Sequence, residues 1–456
     1  MCSNRLLPAF ASSFVSSRIG NALRACLLLA ALAEPAGCMA QAVDEQPEIA
    51  TNEEALCPAP GATVAVGSPQ VVFQNAYPQN VQVTQAIAGD FNGDGLLDAV
   101  FIADGDKQRL VLMVGNGYGV SQGTISTMAV PWGLYNPQSG TSLDYDNDGD
   151  LDIAYVTQGG NSLVIALNDG SGSFSVATTL AIPSTYGMRR AAAGDFDGDG
   201  RTDIAISANT SRTIRIVLNT PTGLSLQPAI STGNGAPLDI SAADLNRDGQ
   251  IDLVAGLSFV SQPFFVLQGN GDGTFTQVAA PLPKNQGING AYSVGLVVAD
   301  LDADEGADVA YVDANTRSVH VFRNNSGAGV SFANEADSGG GPYSLNSASL
   351  GDIAMAAGDF DVDGRPDLAV IGDIFTVGAQ LHVLRNTGAP GAPLSFAASA
   401  GPWLVNSNGK TTTKPRGFAV GPFHASSCGA RADVLFSSNN DTVSDWSVQY
   451  VPNTTE

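Results

Sequence analysis

Histidine and cysteine are nearly missing from this chain of 456 residues, which has three of the first and five of the second. His320, His382 and His424 fall in separate stretches, and none belongs to a metal-ligand or nucleophile pattern. That removes the usual material for acid–base and nucleophilic centres. Basic residues are also few: 20 Lys and Arg stand against 44 Asp and Glu, for a net charge of −24. Phosphate backbones are bound through cations, so nucleic acid is excluded as a partner. Past the N-terminal region, no apolar run is long enough for a membrane helix. No stretch carries a helical hydrophobic period, and aromatics make up 7%. What is abundant is glycine, 52 residues without a collagen period, which points to many tight turns.

Residues 1–38 read as an export signal. Arg5, Arg18 and Arg24 precede the apolar run ACLLLAALA (25–33), too short to span a bilayer. Two endings stay open. EPAGC, closing on Cys38, is similar to a bacterial lipoprotein signal in which Cys38 is lipidated, although Pro35 stands where that motif usually has Leu. Ordinary cleavage after Ala40 is the other. Export to the cell envelope or the medium follows from either, with membrane attachment only through the lipid. Residues 39–60 read as a linker, and 61–456 as the folded domain.

That domain is repetitive. GDFNGDGLLDAVFI (89–102), LDYDNDGDLDIAYV (143–156), GDFDGDGRTDIAIS (194–207), ADLNRDGQIDLVAG (243–256), ADLDADEGADVAYV (299–312) and GDFDVDGRPDLAVI (358–371) recur at steps of 54, 51, 49, 56 and 59 residues. A seventh copy, VGPFHASSCGARADVLFSS (420–438), keeps Phe423 and Asp433 but loses the other acids. Each period holds short strand-like runs separated by Gly, Pro and Asn turns. About four strands per ~50 residues, seven times over, predicts an all-β, seven-bladed β-propeller of four-stranded antiparallel blades. The seventh unit runs out one strand short, while SPQVVFQ (68–74) precedes the first unit. The N-terminal strand is therefore expected to complete the last blade and close the ring, removing two free edges. Cys428 falls in the seventh loop and Cys57 just ahead of that strand, on one face of the expected propeller, so a Cys57–Cys428 disulfide is expected in an oxidising compartment.

The pattern D-x-[DN]-x-D-G-x-x-D followed by an apolar strand, with N-x-G-x-G-x-F turns behind it, resembles FG-GAP and VCBS-type repeats, as in the N-terminal propeller of integrin alpha chains. The resemblance implies a calcium-binding propeller serving adhesion, assembly or binding. Calcium takes six to eight oxygens, and carboxylates at positions one, three, five and nine of a tight loop can converge on one point, with a carbonyl from position seven. The expected ligands are Asp90, Asn92, Asp94 and Asp98; Asp144, Asp146, Asp148 and Asp152; and Asp195, Asp197, Asp199 and Asp203. The later loops give Asp244, Asn246, Asp248 and Asp252; Asp300, Asp302, Asp304 and Asp308; and Asp359, Asp361, Asp363 and Asp367. In the fifth, Glu305 takes the usual glycine position, so five to six structural Ca²⁺ are expected. An EF-hand is excluded, because position twelve is Phe101 or Ile206 where a bidentate Glu is required. Solvated Asp/Gly turns are the competing reading. Against it, twenty-two of the 44 acids sit at ligand positions, where repulsion is severe without a cation.

The face opposite the loops carries the long connectors, with Tyr77, Trp132, Tyr135, Tyr186, Tyr292, Tyr343 and Trp403 among them, and Arg189, Arg190, Lys284, Lys410 and Lys414 nearby. An aromatic ring there could stack on sugars or on a partner's cations; wedging between blades is the alternative. Gly119-Val-Ser-Gln-Gly123 matches G-x-S-x-G formally, but no helix follows it. The expectation is an exported, monomeric, non-catalytic module binding protein or glycan at the cell surface; the alternative is a polysaccharide-active lyase or hydrolase with its site in the propeller mouth.

Overall fold

The computed structural model describes 64, 66, 68, 70–74 and 82–455, apart from 105–106, 132, 184–186, 261–262, 279–290, 328, 334–340, 346–350, 375–377, 391, 399–402, 405–412, 424–430 and 441–445. The signal segment, the linker, Cys38, Cys57 and Cys428 lie outside the described residues.

The described chain is all-β and without helix: seven four-stranded antiparallel blades form a seven-bladed propeller. The inner strands are Gln82–Gly89, Pro137–Leu143, Met188–Gly194, Ala236–Ala243, Ala291–Ala299, Gly351–Gly358 and Thr413–Gly421. Each lies beside the next, and the last lies beside the first. In blade seven Gln70–Gln74 pairs with Trp446–Val451, placing Gln70 opposite Tyr450.

Every second strand opens on the position-nine aspartate. In blade three, for example, Asp203 stands opposite Gly194, the last residue of the inner strand. The acidic stretch is thus the whole connection between two paired strands, and its ends are fixed by the ladder. Each inner strand also carries one register irregularity, as between Val83 and Gln85 or between Pro237 and Asp239.

Strands two are buried from end to end in blades two, three and five, with no polar alternate face. The reason is that both faces of a blade are covered by neighbouring blades. Phe101 and Met113 of blade one pack with Phe423, Leu435 and Tyr450 of blade seven. On the other face Val100 and Leu112 pack with Tyr155 and Phe174 of blade two. Blades four and five depart from simple repetition: Ser258 pairs with Tyr292 and Val260 with Ala291, joining them into one continuous eight-stranded sheet.

Candidate metal centres

Each acidic loop is a backbone device before it is anything else. The position-one carboxylate folds the loop over itself: Asp90 accepts Gly93 N–H and Gly95 N–H, both at 2.8 Å. Asp195 accepts Gly198, Asp199 and Gly200 in the same manner. This curl requires a left-handed residue at position six, and also one at position four, which the sequence pattern does not advertise. Position four is Gly93, Asn147, Gly198, Arg247, Ala303 or Val362, with φ between 58° and 73°. A left-handed conformation at β-branched Val362 is costly for an L-residue.

Position nine sits beneath the curl. Asp203 is fully buried and accepts Phe196 N–H (2.9 Å) on one oxygen and Asn219 N–H (2.7 Å) on the other. The same two-oxygen bracket recurs at Asp98, Asp152, Asp252, Asp308 and Asp367. It ties the loop to the end of strand three. Asp433 of blade seven keeps the strand-three half of the bracket without the other acids, taking Asn453 N–H (2.8 Å); on its second oxygen the Tyr450 hydroxyl (3.1 Å) donates, while Phe423 N–H goes to the Gly421 carbonyl (3.0 Å). Position nine is therefore a structural post as well as an expected ligand.

The asparagine that receives this bracket reaches outward with its side chain. Asn168, Asn324 and Asn453 donate Nδ2–H to the carbonyls of Phe91, Leu245 and Phe360 in the preceding blade, at 2.7–2.8 Å. In blade four the residue is Gly269, whose added Cβ would come 2.3 Å from Ile251 O, and Gly273 N–H reaches Phe196 O at 2.9 Å instead. Phe91 stacks edge-on against Phe174 of the next blade (5.9 Å), and Phe196 against Phe275 (5.5 Å). The acidic loops, the trailing turns and the blade interfaces are one structure.

Carboxylate oxygens converge within 4.8 Å of one another in four loops: Asp144, Asp146 and Asp152; Asp195, Asp197 and Asp199; Asp300, Asp302 and Asp304; Asp359, Asp361 and Asp367. In blades one and four position three is an amide, and Asn92 and Asn246 donate to Asp94 (3.1 Å) and Asp248 (2.9 Å). The sixth loop gives the strongest indication of a cation. Asp361 is fully buried, neither of its oxygens accepts a hydrogen bond, and the Arg385 guanidinium stands 3.8 Å away. A buried carboxylate left in that state is expensive unless a cation completes it. Burial, then Asp363 and Asp359, pushes its carboxyl up to about 6.

Burial also pushes Asp152, Asp203 and Asp252 up to about 6, Asp308 to about 7 and Asp367 to about 8, against the pull of their two backbone donors. These folded values lie above the ordinary carboxylate value, so the metal-free fold prefers the protonated form. The resulting stability is full below about pH 4 and is lost as pH rises through 6 to 8. In EGTA the melting temperature should therefore rise as pH is lowered from 8 to 5. In calcium the ionised form is the stabilised one, so the gap between the two conditions should be widest at pH 8. Parallel pH profiles would contradict this account.

Sequence reasoning missed the arginines. Arg201 and Arg365, at position seven of loops three and six, form ion pairs with Asp199 and Asp363. Arg323, at the end of strand three in blade five, pairs with both Asp302 and Asp304. Their signal was a basic residue at position seven or just before the bracketing asparagine.

The predicted aromatic ring is only partly described. Tyr77, Trp132 and Tyr186 lie outside the described residues, as does the side chain of Tyr292. Tyr343 is only part-exposed: its hydroxyl accepts Phe396 N–H (3.1 Å) and its ring stacks edge-on against Phe396. Trp403 is half-buried against the core shared by blades six and seven. Both are tied to blade packing. Tyr135 is 64% exposed, with its ring against Gly159 and its carbonyl accepting Gly159 N–H (2.9 Å). Ser121 of the G-x-S-x-G match lies in the outer strand Val120–Thr127, not on an elbow. His320 and His382 are buried in third strands.

Fold and loops together define a seven-bladed β-propeller with acidic loops between strands one and two. The chain carries FG-GAP-like repeats: the family model for that repeat matches residues 90–155 and 144–206, each match running from one acidic loop into the second strand of the next blade. No curated protein matches the chain significantly. Among solved structures, BBS1N in complex with ARL6DN is similar at 13% identity and a TM-score of 0.50, over 85% of this chain and 98% of that one. The periplasmic gluconolactonase PpgL of Pseudomonas aeruginosa is similar at 13% identity and 0.47, over 70% and 86%. A Bacillus licheniformis rhamnogalacturonan lyase gives 13% and 0.41, over 84% and 75%. At these identities the likeness concerns fold alone.

Proposed function

We propose that this protein is an exported, calcium-stabilised propeller that acts as a non-catalytic binding module for a protein or glycan at the cell surface. The observation that carries the calcium part is the buried Asp361 carboxylate, without a hydrogen bond and within reach of Asp359 and Asp367. A hard, oxygen-seeking dication suits such donors, and Ca²⁺ tolerates the irregular geometry better than Mg²⁺. The ligands would be the side chains at positions one, three, five and nine, with the ion neutralising charge that the fold otherwise has to protonate. Its role there is structural, since it would lock the curl that connects strands one and two.

Closure of the ring by the N-terminal strand belongs to the same proposal. So does the choice of the connector face for the partner, supported by the exposed Tyr135, whose ring lies against Gly159. Aromatic surfaces of this kind stack on sugar rings or cup cationic side chains. A glycan array with the calcium-loaded protein, followed by product analysis on every hit, tests the reading. Retention of intact glycan, weakened by Tyr135→Ala, is the expected result. Release of shortened saccharides would make the protein an enzyme and overturn it.

A further inference from the structure

Loop five departs from its siblings in three respects, two in residue type and one in the contacts of an arginine, and the departures meet at one place. Its glycine is displaced by one residue, so that Glu305 takes position six and Gly306 position seven. The curl is intact all the same: Glu305 adopts φ 71° and its N–H reaches Asp300 at 2.9 Å, as the glycines do elsewhere. The displaced glycine serves a different end. A Cβ on Gly306 would stand 2.9 Å from Nη2 of Arg247, which comes from the acidic loop of blade four. Through the gap this leaves, Arg247 donates to Asp304 twice, to its carbonyl (2.5 Å) and to its carboxylate Oδ1 (3.0 Å).

The third departure is Arg323, just before the bracketing Asn324. Its guanidinium spans the loop, with Nε on Asp302 and Nη2 on Asp304 at 2.9 Å. Asp302 is buried, so this contact is made largely out of water. The position-three and position-five acids, two of the expected cation ligands, are thus both held by arginine, Asp302 through Oδ2 alone, since its buried Oδ1 takes no hydrogen bond. Two guanidiniums bring the same charge as one calcium ion, in the planar geometry that suits paired carboxylates.

The other loops do not share this arrangement. Arg201 and Arg365 come from within their own loops and hold only the position-five acid. The position-three acids there, Asp197 and Asp361, receive no guanidinium hydrogen bond, and Asp361 accepts none at all. Arg385 occupies in blade six the place of Arg323 in blade five, yet stays 3.8 Å from Asp361.

We propose that the acidic loop of blade five takes no divalent cation, because Arg323 and the neighbouring blade's Arg247 supply its positive charge and in doing so join blades four and five. The inference rests on calcium binding by the remaining loops, and it fits the continuous sheet that blades four and five share. An interface fastened by arginine keeps its ties when calcium is withdrawn, while its neighbours loosen.

Counting bound calcium by native mass spectrometry tests it on the whole protein and two double variants. Asp302→Asn/Asp304→Asn should bind as many ions as the wild type. Arg247→Gln/Arg323→Gln should bind one more, because the vacated acids then form an ordinary loop. One ion fewer in the aspartate variant, or an unchanged count in the arginine variant, overturns the proposal. Should the aspartate variant fail to fold, the arginine variant decides alone. A wild type that binds no calcium refutes the function proposed above and this inference with it, whereas a calcium-binding wild type with an unchanged count in the arginine variant overturns this inference alone.

Discussion

Chelating calcium with EGTA at pH 8 should lower the melting temperature of this protein by on the order of 10–15 °C. A ligand at a hundredfold its dissociation constant stabilises the fold by about 2.7 kcal/mol per site. Five such sites, spread over a domain of this size, give a shift of that order at ordinary unfolding entropies. The physical origin is the charge gathered at each loop. Asp359, Asp361 and Asp367 place their oxygens within 4.8 Å of one another, with Asp361 and Asp367 buried. Without a cation the fold must hold protons there or bear the repulsion. Differential scanning calorimetry in calcium and in EGTA measures the difference, and magnesium should restore only part of it.

The second large effect separates the two duties of the aspartates. Asp433→Ala should cost roughly 3 kcal/mol, equally in calcium and in EGTA, because it removes a buried carboxylate that accepts Asn453 N–H and the Tyr450 hydroxyl. Blade seven has no other acid in its loop, so the loss owes nothing to an ion. Asp197→Ala, at position three of loop three, should do the reverse. Its carboxylate accepts only a long Asp199 N–H contact (3.3 Å), so its removal should matter in calcium and be nearly silent in EGTA. Chemical denaturation of both variants under both conditions checks the pair. Equal calcium dependence of the two would show that position nine and position three do the same work.

The architecture was legible because a repeat fixes it many times over. Six recurrences of an acidic turn running into an apolar strand set the strand order, and the structure places that turn between strands one and two in each of the six blades that carry it. Position nine reads in the sequence only as one expected ligand among four, and its backbone duty is not visible there. A buried aspartate bonded to two backbone amides and a metal-bound aspartate look alike in sequence. Asp433, preserved where its companions vanish, was the clue to the difference. The arginines of loop five stayed hidden for another reason. Arg247 and Asp304 are 57 positions apart and meet only because consecutive blades stack. Gly306, one residue later than the glycine of the sibling loops, stands where a Cβ would meet that guanidinium at 2.9 Å. The aromatic connectors divided by depth. Tyr343 serves the Phe396 contact and Tyr135 faces water, a distinction that chain position alone does not make.

Crystals grown in calcium, with an anomalous difference map calculated at long wavelength, put the central claim to its most direct test. Peaks are expected inside the loops that open on Asp90, Asp144, Asp195, Asp244 and Asp359, each with side-chain oxygens of positions one, three and five about 2.3–2.6 Å away. Ordered water in those loops, with no anomalous signal at millimolar calcium, would contradict the account.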